Sequence, residues 1–275
     1  MRTFLLDDTE IKWLVLLLLA VGAMAALWYF WNDINPPLEP PAVVDPATAV
    51  EEPAPRDPLH PIEQLSLTPG EGELVELPPL DESDRYFALE LIGVFGSALE
   101  ELLDDEGLID KSVATIDNLT RSHVAEKIRP VGRIQGTFII TAAAANGPYF
   151  LSQDNYGRYD SLVNMLTGAN LDELTTTYRR FYPLIQEAYM QLGYPDSYFN
   201  DRAVAVIDHL LATPEPEEPI QLVRPHVLYE FANPDLEALS SGQKLLLRMG
   251  SDHAARVKSV LTELRDRIAQ TSVPD

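Results

Sequence analysis

The chain has no cysteine, which removes a disulfide framework, a thiolate zinc site and a cysteine nucleophile. Histidine is sparse too. His60, His123, His209, His226 and His253 are scattered, and no two stand at the short spacing of a zinc-binding helix or knuckle. Positive charge is scarce: 20 Lys and Arg face 43 Asp and Glu, for a formal net charge of -23. So acidic a chain repels the phosphate backbone, which argues against nucleic acid as the main partner, and acidic lipid surfaces are disfavoured for the same reason. No G-x-S-x-G elbow, Walker loop or dinucleotide glycine pattern is present. Neighbouring acids such as Glu100 and Glu101 would point about 100° apart on a helix, not at one substrate. The loop SQDNYGRYD carries calcium-like Asp154, Asn155 and Asp160 but lacks the order and closing glutamate of an EF-hand. Asp208-His209 has the form of a general-base pair, yet on an amphipathic helix it suits a boundary position. The sequence therefore points to no catalytic residue, cofactor or metal.

What the chain does have is one long apolar run. Residues 13–31 read WLVLLLLAVGAMAALWYFW without a charge, and at roughly 1.5 Å per residue they nearly cover the roughly 30 Å hydrocarbon core of a bilayer. Trp13 at one end and Trp28, Tyr29, Phe30 and Trp31 at the other suit the headgroup level. Arg2 and Lys12 precede the run, and no Lys or Arg follows until Arg56, so residues 1–12 are expected in the cytoplasm. Two other readings stay open: a signal peptide cleaved near Ala23, Met24 and Ala25, and a buried core helix.

Residues 32–80 hold twelve prolines and ten acids against one base, Arg56. Proline removes backbone donors and favours extended conformations, while like charges keep the chain swollen, so the sequence predicts a disordered linker. Its reach would lie between about 40 Å as a coil and about 150 Å fully extended. A proline-rich ligand for an aromatic groove is the alternative, without a clean repeat to support it.

Residues 81–275 read as a mainly helical domain. Ser97 with Glu100 has the form of a capping box, which predicts a short helix carrying Leu99, Leu102 and Leu103. Ile109, Val113, Ile116 and Leu119 predict a second helix, and the acids 104–106 a solvated loop. Phe138, Ile139 and Ile140, the Asn146-Gly147 turn and Tyr149 to Leu151 predict a small hairpin; 220–223 and 227–231 predict another. The longest pattern places Leu171, Leu174, Tyr178, Phe181, Ile185, Ala188 and Leu192 on one stripe, with Pro183 expected to kink or split the helix at Tyr182. Asn200 or Asp201 should start the next helix, burying Val204, Ile207 and Leu211. Ser240 with Gln243 is a second capping box, and Gly250-Ser251 a stop with a fresh N-cap. The last helix should turn Val257, Leu261, Leu264 and Ile268 inward and pair Glu263 with Arg267.

The phrases NYGRY at 155–159, YRRFYPLIQEAY at 178–189, Leu192-Gly193-Tyr194-Pro195 and QKLLLRMG at 243–250 carry a resemblance. In this order they resemble an uncharacterised bacterial family of membrane-anchored proteins, number 3014 in the domain-of-unknown-function series. The resemblance implies a bacterial envelope protein and brings no catalytic residues; with the apolar run and the basic residues before it, a single-pass protein of the bacterial inner membrane with its C-terminal domain in the periplasm is expected. The fold expected is mainly α: one N-terminal transmembrane helix, the Pro-rich linker, then a helical domain with one or two small β-hairpins.

Eight of the eleven tyrosines lie between Tyr149 and Tyr198, interleaved with Arg158, Arg179, Arg180 and Arg202. Tyr and Arg suit partner surfaces because a flat ring and a planar fork bury area while keeping polar handles. Arg158, Tyr159, Tyr178, Arg179, Arg180, Tyr182 and Tyr189, with Lys244 and Arg248 on one later helix face, are the candidate partner-binding residues. The competing reading is a tyrosine-rich core whose polar groups pair internally. The partners expected are the bilayer, through residues 13–31, and another envelope protein bound by a non-catalytic interaction or scaffold module; the alternative is a binding protein or enzyme acting on a cell-wall or small-molecule ligand in a cleft of the helical domain.

Overall fold

The computed structural model describes residues 57–62, 77–104, 106–132, 136–142 and 148–269. The apolar run 13–31, most of the linker and the Asn146-Gly147 turn lie outside the described residues. Among the described residues no helix is long and apolar enough to cross a membrane.

The domain is mainly helical with one small sheet. In chain order it comprises α1 (Asp84–Phe95), α2 (Leu108–Asn118), β1 (Ile140–Ala142), β2 (Tyr149–Leu151), α3 (Asp160–Gly168), α4 (Leu171–Gln191), α5 (Phe199–Leu211), β3 (Gln221–Val223), β4 (Glu230–Phe231), α6 (Pro234–Glu237), α7 (Ser241–Arg248) and α8 (Ser251–Ile268). Helix α4 packs against α1, α2, α5 and α8, and α5 in turn packs on α2 and α8. Around it Phe87, Leu108, Ile109, Phe181, Ile185, Tyr189, Phe199, Val204 and Ile268 form the largest buried cluster. Enclosing one side chain of this size stabilises the fold by about 1.5–3 kcal/mol.

Local chemistry explains the helix ends. Asn170 accepts from the backbone N–H of Asp172 and Glu173 and starts α4, with both acids in its first turn, where the helix dipole favours them. Both halves of the Ser240–Gln243 capping box form at the start of α7. Gly250, at φ 87°, turns the chain into α8 and takes the cap position expected of Ser251. The Glu263–Arg267 pair closes at 3.3 Å.

Several expectations are corrected. Ser97 does not cap a helix: after Gly96 at φ 88° the chain makes only a short 3-10 turn, Ser97–Leu99, with no side-chain cap. The helix of this region lies earlier, as α1, whose apolar residues are spread around the axis so that Phe87 alone is buried. Pro183 does not split α4; it stands exposed, where water can reach the carbonyl its missing N–H leaves free. Leu192 falls past the end of α4 and is exposed, before the chain reverses at Gly193. The two expected hairpins are present but join through β2 and β3 into one antiparallel sheet of order β1-β2-β3-β4, in the register Tyr149↔Leu222 and Leu222↔Phe231. Leu151, Leu222 and Phe231 line its buried face with Leu236 and Leu247.

Proline-rich residues upstream of Asp81 also belong to the packing. Leu80 is buried, Ile62 and Leu77 pack on the main cluster, and the backbone of Leu59 and His60 is held by α5. Such a stretch can dock because it brings few donors to satisfy and several apolar side chains to cover.

Candidate functional site

Most of the candidate tyrosines point inward. Tyr159 is buried among Val163, Val206, Leu246 and Met249, and Tyr182 and Tyr189 belong to the main cluster. Tyr189 stacks on Tyr194 at 4.7 Å between ring centres and meets Phe199 edge-on. Tyr178 meets Tyr182 edge-on at 5.7 Å. The hydroxyls of Tyr178 and Tyr182 meet Asn200 on α5, and two buried polar centres form around Asn200 and Arg202, two residues apart on that helix.

The first centre is Asn200, which is fully enclosed. Its amide donates to the carbonyls of His60 and Ile268, both at 2.8 Å, and its Oδ1 accepts from the Tyr178 hydroxyl at 3.1 Å. Its N–H donates to the Tyr182 hydroxyl at 3.4 Å, which donates on to Gln186 Oε1. Gln186 also accepts the Phe199 N–H and donates to the Ser197 carbonyl, ordering the turn between α4 and α5. Burial, then the nearby Tyr182 and Asp201, raises the Tyr178 phenol well above its ordinary range; burial pushes Tyr182 up to about 12. The adjacent Asp201 accepts the backbone N–H groups of Leu59 and His60 at 3.0 and 2.8 Å.

The second centre is Asp117, at the end of α2 and 2% exposed. Its carboxylate meets Arg202 Nε at 2.7 Å and Arg121 at 3.1 Å, and accepts from the Tyr194 hydroxyl at 3.4 Å. Arg202 also donates to the Asp117 carbonyl and the Thr120 hydroxyl. The sequence marked Asn200 and Asp201 only as a helix start, and it did not mark Asp117 at all. Asp117 follows Val113 by one helical turn, and a carboxylate so close to an apolar stripe was the readable signal.

The remaining candidates are dispersed. Arg158 donates to the Gly136 carbonyl at 3.0 Å and lies 3.4 Å from Asn155, whose enclosed amide clamps Ile139 and Ser152 ahead of α3. Lys244 pairs with Glu237, and Arg248 stands over the Phe231 ring at 5.8 Å. His253 lies between the Asp160 carboxylate and the Met249 carbonyl, both at 3.0 Å. Both are acceptors, so only the imidazolium can donate to the two at once.

Arg179 and Arg180 stand apart from these centres. Arg180 bridges to Glu90 of α1 at 2.7 Å, beside the packed rings of Phe87 and Phe181. Arg179 is half-buried and has no hydrogen-bond or ion-pair partner among the described residues. On α1, Tyr86 and Leu89 are 49% and 59% exposed. A described crevice beside Lys258, lined by Thr213, Glu215, Ile220 and Leu246, offers about 40 Å³, far below the several hundred Å3 usual for small-molecule sites.

A family model described as "Protein of unknown function (DUF3014)" matches residues 108–265. No curated protein matches the chain, and no solved structure does.

Proposed function

The chain belongs to this family of proteins of unknown function, matched over more than half its length, and from that premise we propose a membrane-anchored envelope protein whose helical domain is a non-catalytic interaction module. The uncharged run 13–31 with its aromatic ends supports the anchor, and the basic residues on its N-terminal side support a cytoplasmic N-terminus and a periplasmic domain. The observation that carries the interaction reading is the α1–α4 face. There Tyr86 and Leu89 are exposed on α1 and the Glu90–Arg180 pair joins α1 to α4, where Arg179 has no partner among the described residues. An aromatic ring, an aliphatic side chain and guanidinium groups are the residue types that dominate protein interfaces.

The test is crosslinking of the full-length chain in native membranes. The Arg179→Ala/Arg180→Ala chain should lose its crosslinked envelope partner while the domain stays folded, its thermal unfolding showing only the small loss of one partly exposed ion pair. Recovery of the same partner at wild-type yield would remove this face from consideration. A reporter fused after Asp275 should be active in the periplasm, and activity confined to the cytosol would overturn the orientation.

A further inference from the structure

We propose that the Asn200–Asp201 corner is a peptide-binding site that reads the main chain of an extended, proline-bracketed segment, and that residues 58–62 of this chain are its resident occupant. In the run Pro58-Leu59-His60-Pro61 the two prolines have no N–H, so the four residues offer only two backbone donors, those of Leu59 and His60. One carboxylate, Asp201, takes both, at 3.0 and 2.8 Å. The Asn200 amide takes the His60 carbonyl at 2.8 Å, and behind it Tyr178 holds the Asn200 amide in that orientation. Pro61 biases His60 toward extended backbone, the conformation in which Pro-rich segments are pre-organised for binding.

The side chains between the prolines make no hydrogen bond among the described residues. Leu59 is 73% exposed, and His60 Nδ1 is enclosed with no hydrogen-bond partner. Ile62, next after Pro61, packs on the main cluster. The site therefore selects a pattern, Pro-x-x-Pro followed by an apolar residue, with no acid next to Asp201. Asn200, Asp201, Tyr178 and Gln186 all lie within the family-matched residues 108–265, whereas the occupant lies outside them. Receptor and ligand are thus separate pieces of the chain, and an envelope protein carrying the same pattern can exchange with the resident segment. Occupied in cis, the site fixes where the linker joins the domain; vacated, it presents a ready clamp.

The experiment uses the full-length chain in detergent and a fluorescent peptide with the sequence of residues 55–64. A chain whose residues 58–62 are replaced by Gly and Ser should bind the peptide at least tenfold more tightly than the wild-type chain, where the site is filled. Asp201→Ala in the replaced chain should reverse the gain, and so should N-methylation of the peptide at the Leu59 and His60 positions, which deletes the two donors. Equal binding to replaced and wild-type chains, or undiminished binding of the N-methylated peptide, would overturn the proposal. Hydrogen exchange guards against a folding artefact. In the wild-type chain the Leu59 and His60 amides should be protected, and in Asp201→Asn they should exchange at least tenfold faster while α5 stays protected. A wild-type dimer dispersed by the peptide would instead make a second copy the occupant and overturn the cis assignment.

Discussion

Asn200 and Arg202 stand two residues apart on α5, and each anchors a buried polar centre, yet one centre is neutral and the other ionic. Around Asn200 every contact runs between uncharged groups: phenols, an amide and backbone carbonyls. Around Asp117 one enclosed carboxylate holds two guanidinium groups. A neutral hydrogen bond contributes about 0.5–1.5 kcal/mol net, because water offers nearly the same partner to both groups. An ion taken out of water has no such substitute, so an ionic centre tolerates loss of its counter-charge badly. The two centres do different work within the first turn of α5. Arg202 and Asp117 fix α5 to α2, while Asn200 and its neighbour hold a segment that can leave.

The largest effect expected follows from that contrast. Asp117→Ala leaves Arg202 without its enclosed partner and should cost about 3–5 kcal/mol, read from urea unfolding. Asn200→Ala leaves the Tyr178 hydroxyl and two carbonyls short of a partner and should cost about 2 kcal/mol. Joint replacement, Asp117→Leu with Arg202→Met, should recover much of the first loss, because an ion pair removed whole leaves no stranded charge. Equal costs at Asp117 and Asn200 would dissolve the distinction.

Alkaline pH probes the neutral centre through two of its phenols, while burial also raises Tyr156, Tyr159 and Tyr189 elsewhere in the domain. The folded domain holds Tyr178 well above, and Tyr182 at about 12 against, the ordinary phenol value of 10.0. A folded pKa raised above the unfolded one stabilises the protonated form. That contribution is complete below about pH 10 and is lost as pH climbs toward about 12. Phenolate absorbance should therefore show a late-titrating class of tyrosines, and the part of it lost in Tyr178→Phe and Tyr182→Phe should ionise together with release of residues 58–62. Tyr182→Phe should remove part of that class. Titration of all eleven tyrosines near pH 10 with the fold intact would show that the neutral centre is open to water.

Much of this architecture is legible in the sequence, and the exceptions have physical causes. Asn170, Ser240 and Gly250 act within a turn of their own position, so α4, α7 and α8 could be read from local chemistry. Helix α1 could not, because periodicity marks a helix only when one face is apolar, and Leu89, Leu91, Ile92, Val94 and Phe95 surround its axis. Each hairpin was readable from turn residues and β-prone runs, but the pairing of Tyr149 with Leu222 joins residues far apart in sequence and leaves no local mark. The tyrosines were visible as a cluster, while the direction their hydroxyls face depends on Asn200 and Asp117, contributed by other helices. Asn200 and Asp201 looked like a helix start. The helix begins one residue earlier, at Phe199, with Asn200 and Asp201 in its first turn, and their side chains serve His60, Ile268 and Leu59, far away in sequence.

The smallest expected effect sets the scale for a neutral contact elsewhere on α5. Near its C-terminal end the Ser240 hydroxyl accepts from the Gln243 N–H at 3.2 Å and lies 2.9 Å from His209 Nε2, while Gln243 donates to the His209 carbonyl. The capping box therefore ties α7 to α5 as well as starting α7. Ser240→Ala should cost about 1 kcal/mol in urea unfolding, Ser240→Gly a few tenths, and Ser240→Thr less than Ala because its hydroxyl can still accept. Hydrogen exchange at Leu59 and His60 should not change in any of the three. A loss at Ser240 as large as that at Asp117 would mean that burial alone sets the cost of breaking a polar contact on α5, and the division between the neutral Asn200 centre and the ionic Asp117 centre would fail.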